Sequence, residues 1–522
     1  MHTHTFKHNQ MEVWARDAVT LDQLHLHEGQ KVNTNAWIMN KRLGKGIVFL
    51  ILRDGTGFAQ CIVAEKDVGA ELCETAKSLG LESSIGVTAQ VVRDEKQIGG
   101  YELHLEQLHV YATSEDYPIG KKAHGVDFLM DHRHLWLRSR RQWAIMRVRN
   151  ATIFAIHHFF QSRGFVQMDA PIFTGNACEG TTDLFETDFF EQPAYLSQSG
   201  QLYGEAMAMA QGKIYTFGPT FRAEKSKTRR HLSEFWMIEP EMAFHDLYMT
   251  MDLVEDFVRE VVKEVMERCP SELELLERPL EPLQRVEKPF PRLEYDQAVA
   301  ILKGEEMVDG KTTLEVLEED LKAAQTRIGE IEKEIEEREA ALAAGGMKKG
   351  NIAFNEEQVR KRKVELKEAQ EKARNLPQWM ESARNFTMGE DFGGSDETVL
   401  TRMYDTPIMV YHWPTEIKAF YMKPVDGRPD RVRGVDLLAP EGYGEIVGGG
   451  ERETDHQRLI EQLQYHDLPQ SSFEWYLDLR RYGSVPHAGF GLGLERLLSW
   501  IAGLQHVRET IPFPRLTGRL FP

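Results

Sequence analysis

Phe221–Glu241 reads FRAEKSKTRRHLSEFWMIEPE. Residues alternate in character at its two ends (Phe221 and Ala223; Phe235 and Met237), which predicts two strands joined by a loop. That loop carries Lys225, Lys227, Arg229, Arg230 and His231. A hairpin with a cationic tip suits a polyphosphate, because guanidinium forks match phosphate oxygens bidentately. Phe235, at the start of the return strand, is placed to stack on a base. An exposed basic hairpin without a ligand would carry the same pattern, so a second run has to separate the two.

That second run is Gly489–Leu498, GFGLGLERLL. Its strand positions are themselves glycine-rich, and Glu495-Arg496 stands where a helix begins. A GxGxG turn alone is a weak signal. Close backbone approach to a flat adenine explains the glycines, and Arg496 then reaches the outer phosphates. Neither GxxxxGK[ST] nor the protein-kinase set of motifs occurs in the sequence, which disfavours ordinary γ-phosphate transfer.

Outward from these runs, the chain of 522 residues is long enough for two or three domains. From about Val13 to Tyr111 short β-rich runs (KVNTNAWIM, GIVFLILRD, GFAQCIVA, IGVTAQVV, YELHLEQLHVYA) alternate with glycine turns. Five strands in this length fit a small closed barrel of the oligonucleotide-binding type (an OB-fold), though another small barrel or sandwich fits equally. The expected division is a barrel over 1–115, an irregular linker over 116–136, a first catalytic part over 137–311, an insertion over 312–385 and a second catalytic part over 386–522. A helix is expected over Leu137–Arg163, closed by Gly164, and the irregular spacing that follows predicts a mixed or antiparallel sheet in an α+β architecture. Within the insertion, Leu314, Leu317, Leu321, Ala324, Ile328, Ile331 and Ile335 form a heptad seam. After the break AAGGMKKGNIAFN, Val359, Leu366, Ala369, Ala373, Leu376 and Met380 resume it. An antiparallel helical hairpin is expected, either a solvated decoration or a contact for RNA or protein.

The apolar fraction of 41% and charged fraction of 28% are those of a globular chain. No segment is apolar for the roughly 20 residues a bilayer crossing takes, so no membrane partner is expected. The start lacks the apolar stretch of a secretory signal, and the chain is expected to stay where it is made. Cys61, Cys73, Cys178 and Cys269 are scattered and form no CxxC pair, which points to a reducing cytoplasm rather than to a disulfide framework or zinc site. A net charge of −19 argues only weakly against nucleic acid, since phosphate affinity follows local patches.

The two cationic and glycine-rich runs, together with GFVQMDAPIFT (Gly164–Thr174), resemble the three signature motifs of the class II aminoacyl-tRNA synthetases, in the same order and over nearly the whole chain except the hairpin. The resemblance implies an antiparallel catalytic sheet, ATP and Mg²⁺ as co-reactants, and a homodimer formed through the Pro171 segment. A barrel ahead of such a core is similar to the subgroup charging aspartate, asparagine or lysine, in which the barrel holds the anticodon. By that resemblance Phe49 stacks on an anticodon base, Gln60 reads a base edge and Arg42 lies near the backbone.

The same resemblance implies that Arg222 holds the α-phosphate and Arg496 the γ-phosphate, that Glu445 binds Mg²⁺, and that Glu224, His231, Leu232, Phe235 and Gly493 complete the ATP site. Glu179 in CEGTTDLF resembles the acid that meets the substrate ammonium, and Ser199, Gln201 and Gly489 resemble further contacts of the amino acid. Arg452 resembles the arginine that holds the side-chain carbonyl. In aspartate enzymes a lysine stands at the position of Gly204. Without it a buried second carboxylate would face Glu239 unpaired, at a cost of several kcal/mol. Glu239 can instead accept from an amide NH₂, so the expected substrates are L-asparagine, ATP and tRNA(Asn). The other readings are an aspartate enzyme that also charges that tRNA, an asparagine-making ligase on the same core, and a catalytically dead RNA-binding regulator.

Overall fold

Alternation with a period of two builds the first unit. In the strands β1 (Lys31–Gly44), β2 (Ile47–Arg53), β3 (Phe58–Ala64), β4 (Ser84–Arg93) and β5 (Tyr101–Ala112), inward positions recur at every second residue. Val48, Leu50 and Leu52 of β2 meet Ile85, Val87, Ala89 and Val91 of β4 in one core. The sheet closes in the order β1-β2-β3-β5-β4, with β4 returning to β1. Closure removes the free edges an open sheet would expose. The structure, a computed structural model, describes residues 18–120, 122, 124–175, 184–226 and 228–522. The chain divides into two units between Trp136 and Leu137. The stretch before that boundary is less irregular than expected, since Val126–Asp131 and Arg133–Trp136 form short helices.

The second unit is organised by an eight-stranded sheet. In chain order its strands are β6 (Val166–Gln167), β7 (Lys213–Phe221), β8 (Glu234–Ala243), β9 (Arg292–Glu294), β10 (Ile408–Tyr411), β11 (Gly434–Ala439), β12 (Gly444–Glu451) and β13 (His487–Gly493). Their order across the sheet is β9-β10-β11-β12-β13-β8-β7-β6. The central strands pair antiparallel, and the two outermost pairs, β9 with β10 and β6 with β7, are parallel.

One face of this sheet is covered by helices α1 (Arg140–Ser162) and α2 (Leu247–Arg268). The first begins three residues later than the pattern predicts, because the Ser139 hydroxyl caps it by accepting from the Gln142 amide at 3.3 Å. Val148, Ile156 and Phe160 of α1 and Val254, Phe257 and Val261 of α2 share a core with Tyr215, Ile238, Met242, Phe490 and Leu492 of the sheet. Truncating a fully buried aromatic such as Phe160 to alanine would cost about 3–5 kcal/mol. Because strand side chains alternate, putting Ile238 and Met242 toward the helices turns Met237, Glu239 and Glu241 to the other face. The same parity in β13 sets Gly489, Gly491 and Gly493 opposite Phe490 and Leu492.

The insertion is a pair of helices, α3 (Thr313–Ala344) and α4 (Lys349–Arg384). Thr312 opens α3 with a capping box, its hydroxyl accepting from the Glu315 amide while Glu315 accepts from the Thr312 amide. Ile331, Ile335 and Val359 form the buried seam, with Leu366 and Ala369 packed against it. At the base, Leu317, Leu376 and Ala383 join the core around Tyr295, Leu302 and Trp413, so the hairpin is rooted in the second unit. A short helix, α5 (Gly394–Thr401), follows it, and α6 (Leu494–Ile501) follows β13.

Candidate functional site

The face of the sheet opposite α1 and α2 carries a cavity of about 630 Å³. Arg222, Glu224, His231, Leu232 and Phe235 reach it from the β7–β8 hairpin, and Gly491, Gly493 and Arg496 from the β13 run. Ser199, Gln201, Glu239, Lys418, Asp436, Glu445 and Arg452 are among the other lining residues. Residues far apart in sequence meet because β8, β13 and β12 are neighbours in the sheet.

At one end of the cavity the polar groups are buried and tightly held. Glu239 accepts from the Gly200 amide at 2.8 Å, from the Thr216 hydroxyl at 3.0 Å, and from the Ser199 hydroxyl. Burial nevertheless raises its carboxyl above the ordinary range. Arg452, only 2% exposed, gives its Nε and Nη2 to Glu241. Its Nη1 has the Met422 sulfur at 3.9 Å, a weak acceptor, which leaves that corner of the fork for a ligand. Burial pushes Glu241 up to about 7 against the pull of Arg452.

Two residues read from the sequence as amino-acid contacts stand one layer back. A Cβ on Gly204 would sit 3.3 Å from Glu241 Cγ, and one on Gly489 would collide with Glu241 Oε1. Both back the glutamate rather than line the cavity, because Glu241 fills the space a side chain would need. Glu179 lies outside the described residues.

The other end is crowded with charge of both signs. Arg496, in the first turn of α6, donates to the Glu445 carboxylate and to the Glu445 carbonyl, each at 3.0 Å. Burial disfavours the charged form of Glu445, but Arg496 and Lys418 outweigh it and hold the carboxyl below its ordinary range. A Cβ on Gly448 would lie 2.9 Å from Glu445 Oε1 and 3.4 Å from Asp436 Oδ1, so the two carboxylates converge over this glycine. Lys418 donates to Asp436 at 2.6 Å, while burial pushes the Asp436 carboxyl up to about 7. Among the described residues no three His, Cys, Asp or Glu side chains are grouped to hold a metal ion by themselves. Glu495, the neighbour of Arg496, turns inward and accepts from Arg149 at 2.8 Å and from the Trp236 amide at 3.0 Å. Both residues of the Glu-Arg pair border the cavity, but Glu495 is committed to Arg149 and the Trp236 amide while Arg496 holds Glu445.

The glycines of the β13 run have different reasons. At Gly491 a Cβ would come within 2.7 Å of Met237 Cε, whereas at Gly493 its nearest neighbour would be Arg496 Cγ at 4.0 Å. Packing therefore requires glycine at 489, where the Pro240 carbonyl also lies 2.4 Å from the Cβ position; at 491 only the mobile end of Met237 is in the way, and 491 and 493 both line the cavity.

Several groups of the site carry little local signal. Asp436 lies on β11 opposite Gly448 of β12, and only the antiparallel register brings it to Glu445. Glu241 does carry one, since it lies two residues after Glu239 on one strand and shares its face. Behind both, Glu205 is wholly buried and accepts from Arg480 at 2.7 Å, from Tyr476 at 2.8 Å and from Gln201 Nε2 at 3.1 Å, and lies 2.9 Å from His487 Nε2. Burial opposes its charge, but Arg480 and His487 hold it well below the usual carboxylate range. A carboxylate only accepts, so Gln201 must turn its NH₂ to Glu205.

In the barrel, the Arg42 guanidinium lies 4.5 Å from the centre of the half-buried Phe49 ring, across a β1–β2 pair. Gln60 is buried and donates to Glu102 at 2.6 Å. The stacking candidate is therefore reachable from the barrel surface, whereas the edge reader already has an acceptor.

A cationic hairpin, a glycine-lined strand and an arginine-headed helix around one cavity, on an antiparallel sheet, define a class II synthetase core. The family described as tRNA synthetases class II (D, K and N) matches over residues 125–517, and that described as OB-fold nucleic acid binding domain matches over residues 32–111. The chain belongs to the class II tRNA synthetases of this D, K and N group. Over 97% of its length it is 48% identical to an asparagine–tRNA ligase of Sorangium cellulosum, covering 99% of that relative. It is 46% identical to the asparagine–tRNA ligase of Symbiobacterium thermophilum, over 97% of this chain and 99% of that one. The asparaginyl-tRNA synthetase of Pyrococcus horikoshii, solved with asparaginyl-adenylate, superposes with a TM-score of 0.80 at 35% identity, covering 97% of this chain and 100% of that one.

Proposed function

We propose that this chain is an asparagine–tRNA ligase: it activates L-asparagine with ATP and transfers it to the 3′ end of tRNA(Asn). The observation that carries the choice of amino acid is the closed pairing of Arg452 with Glu241 beside Glu239. Glu241 offsets the arginine's charge, so the pocket offers a carbonyl one N–H donor from Arg452 and offers an amide NH₂ the acceptor Glu239. A second substrate carboxylate would instead meet the Glu239 carboxyl at close range, and Gly204 brings no lysine between them. Polar recognition of this kind reaches discrimination of about 10⁴–10⁵, because the wrong ligand leaves a buried group unsatisfied.

In the first step the asparagine carboxylate attacks the α-phosphorus in line, and the bond to pyrophosphate breaks. Arg222 takes the charge that develops on the α-phosphate, and Arg496 holds the outer phosphates. No side chain needs to act as nucleophile; placement and charge neutralisation supply the acceleration. Gln201, its NH₂ committed to Glu205, turns its carbonyl to the substrate ammonium. Glu445 and Asp436 fit Mg²⁺, which takes one or two carboxylates plus substrate phosphates rather than a full protein cage; when bound it would neutralise the phosphates. In the second step a ribose hydroxyl of the terminal adenosine attacks the activated carbonyl and AMP leaves. The half-buried Phe49 ring beside Arg42 gives the barrel a surface on which an anticodon base stacks.

A homodimer through the Pro171 segment is supported by exposed Val166, Ile172 and Phe173 on that segment and Phe154 on the helix before it. A cytoplasmic setting is supported by Cys61, Cys73 and Cys269, which are free and buried. No described helix is long and apolar enough to cross a membrane.

The deciding test is ATP–pyrophosphate exchange with asparagine and aspartate in parallel. Exchange with asparagine alone is expected. Exchange driven by aspartate would replace this reading with that of an aspartate enzyme that also charges tRNA(Asn).

A further inference from the structure

The insertion does more than stand out from the body. Arg229, one of the loop cations that the sequence offers to a polyphosphate, donates instead to Glu371 of α4 at 2.6 Å. One turn earlier on α4, Glu368 accepts from Gln505 Nε2 at 2.8 Å. These two contacts belong to one assembly, because the Val507 amide donates to the Arg229 carbonyl at 3.0 Å and Val507 lines the cavity. The next loop residue, Arg230, donates to Glu397 at 2.7 Å and to the Thr398 hydroxyl at 2.9 Å, both on α5 directly after the hairpin. The insertion and the helix it leads into thus hold both arginines at the tip of the loop.

Lys225, Arg229 and Arg230 are like charges on a short loop, and without counter-charges they repel one another and splay it. His231 and Leu232, which follow immediately, line the cavity. A splayed loop would have to be ordered when ATP binds, and that ordering weakens binding. We propose that Glu371 and Glu368 of the inserted hairpin are positioning residues that hold the ATP-binding loop and the Gln505–Val507 segment in their binding posture. The hairpin's root in the core around Leu317 and Leu376 gives these two glutamates a fixed base. They touch no substrate; they act through Arg229 and Gln505.

The test is steady-state exchange on the full-length enzyme carrying Glu371→Gln, alone and together with Glu368→Gln. Half-exposed ion pairs are modest in strength, so KM for ATP should rise by about three- to five-fold, with KM for asparagine and Tm unchanged. Arg229→Glu and Glu371→Arg should each raise KM for ATP, and the two together should recover most of it. The inference is overturned if KM for ATP stays at the parent value in the double glutamine variant, if both KM values rise together with a lowered Tm, or if the charge-swapped pair is no better than its single variants. It rests on the placement of ATP between Arg222 and Arg496. If Arg222→Ala keeps normal exchange, that placement fails; if Arg222→Ala loses exchange while the glutamate variants do nothing, only the brace fails.

Discussion

The two ends of the cavity are built on opposite principles. At the amino-acid end the side chains of Arg452 and Glu241 are 2% and 1% exposed and engage one another. At the phosphate end those of Arg496 and Glu445 are 29% and 38% exposed, and each can trade its partner for a ligand. On the proposed function the first end selects, because buried and satisfied groups cannot rearrange to suit a wrong side chain without leaving one of them unpaired. The second end suits a highly charged ligand bound by exchange: Arg496 would leave Glu445 for phosphate, and the carboxylate it releases is one of the two that suit Mg²⁺. On the proposed function, closed pairs at one end and replaceable pairs at the other divide specificity from catalysis along one sheet.

The contrast can be broken by mutation, and the largest effect is expected at the selective end. Glu241→Gln removes the counter-charge of a buried arginine. Because folding already pushes Glu241 toward its neutral form, the neutral glutamine should leave Tm near the parent value at neutral pH, and the effect is read as raised exchange in the presence of aspartate. At the phosphate end, Arg222→Ala should lower kcat in exchange by about 10²–10³-fold, the loss seen when one donor to a developing charge is removed, with KM for asparagine little changed. A normal rate would sink the assignment of this end to the α-phosphate.

Outside the cavity, Phe49→Ala should raise KM for tRNA in charging while leaving exchange untouched. Base–aromatic stacking is worth about 1–3 kcal/mol, so a rise of roughly five-fold or more is expected, and an unchanged KM would remove Phe49 from the anticodon site.

The smallest effect comes from pH. Glu241 has its carboxyl pushed up to about 7, so it gains a proton as pH falls through that value and its share of the Arg452 counter-charge is lost. The pocket then becomes more positive, and the ratio of aspartate-driven to asparagine-driven exchange should increase as pH falls from a unit above that value to a unit below it. In stability the sign is that of any carboxyl raised by folding: the contribution is fully present below the ordinary value of 4.5 and is lost as pH rises through about 7. A ratio that stays flat would show that Glu241 does not set the pocket's charge.

Much of the site is legible along the chain. Local chemistry announces itself locally: the alternation in FRAEKSKTRRHLSEFWMIEPE marks two strands and a cationic loop, GFGLGLER marks a strand whose glycines share a face, and the heptads mark a hairpin. What stays hidden depends on registers between strands that are distant in sequence. Nothing in GVDLL says that Asp436 will converge with Glu445 over Gly448. Nothing in QLYGE says that Glu205 will collect Arg480, Tyr476 and His487 in a dry interior. Gly489 shows the limit from the other side, since its place in the motif is plain but the neighbours that require glycine, Glu241 and the Pro240 carbonyl, are not.

Periodicity and charge pattern are properties of short stretches, and for that reason the strands, the cationic loop and the hairpin can be read from residue order, while the resemblance of three ordered motifs supplies the reaction family and the arginines of the cavity. The neutralising of Arg452 by Glu241, the commitment of Arg229 to the hairpin and the fastening of the insertion beside the cavity arise on folding. Those are pairings between groups brought together by the sheet and the core, and the strength of such a pair depends on its burial and geometry, which no stretch of residues contains.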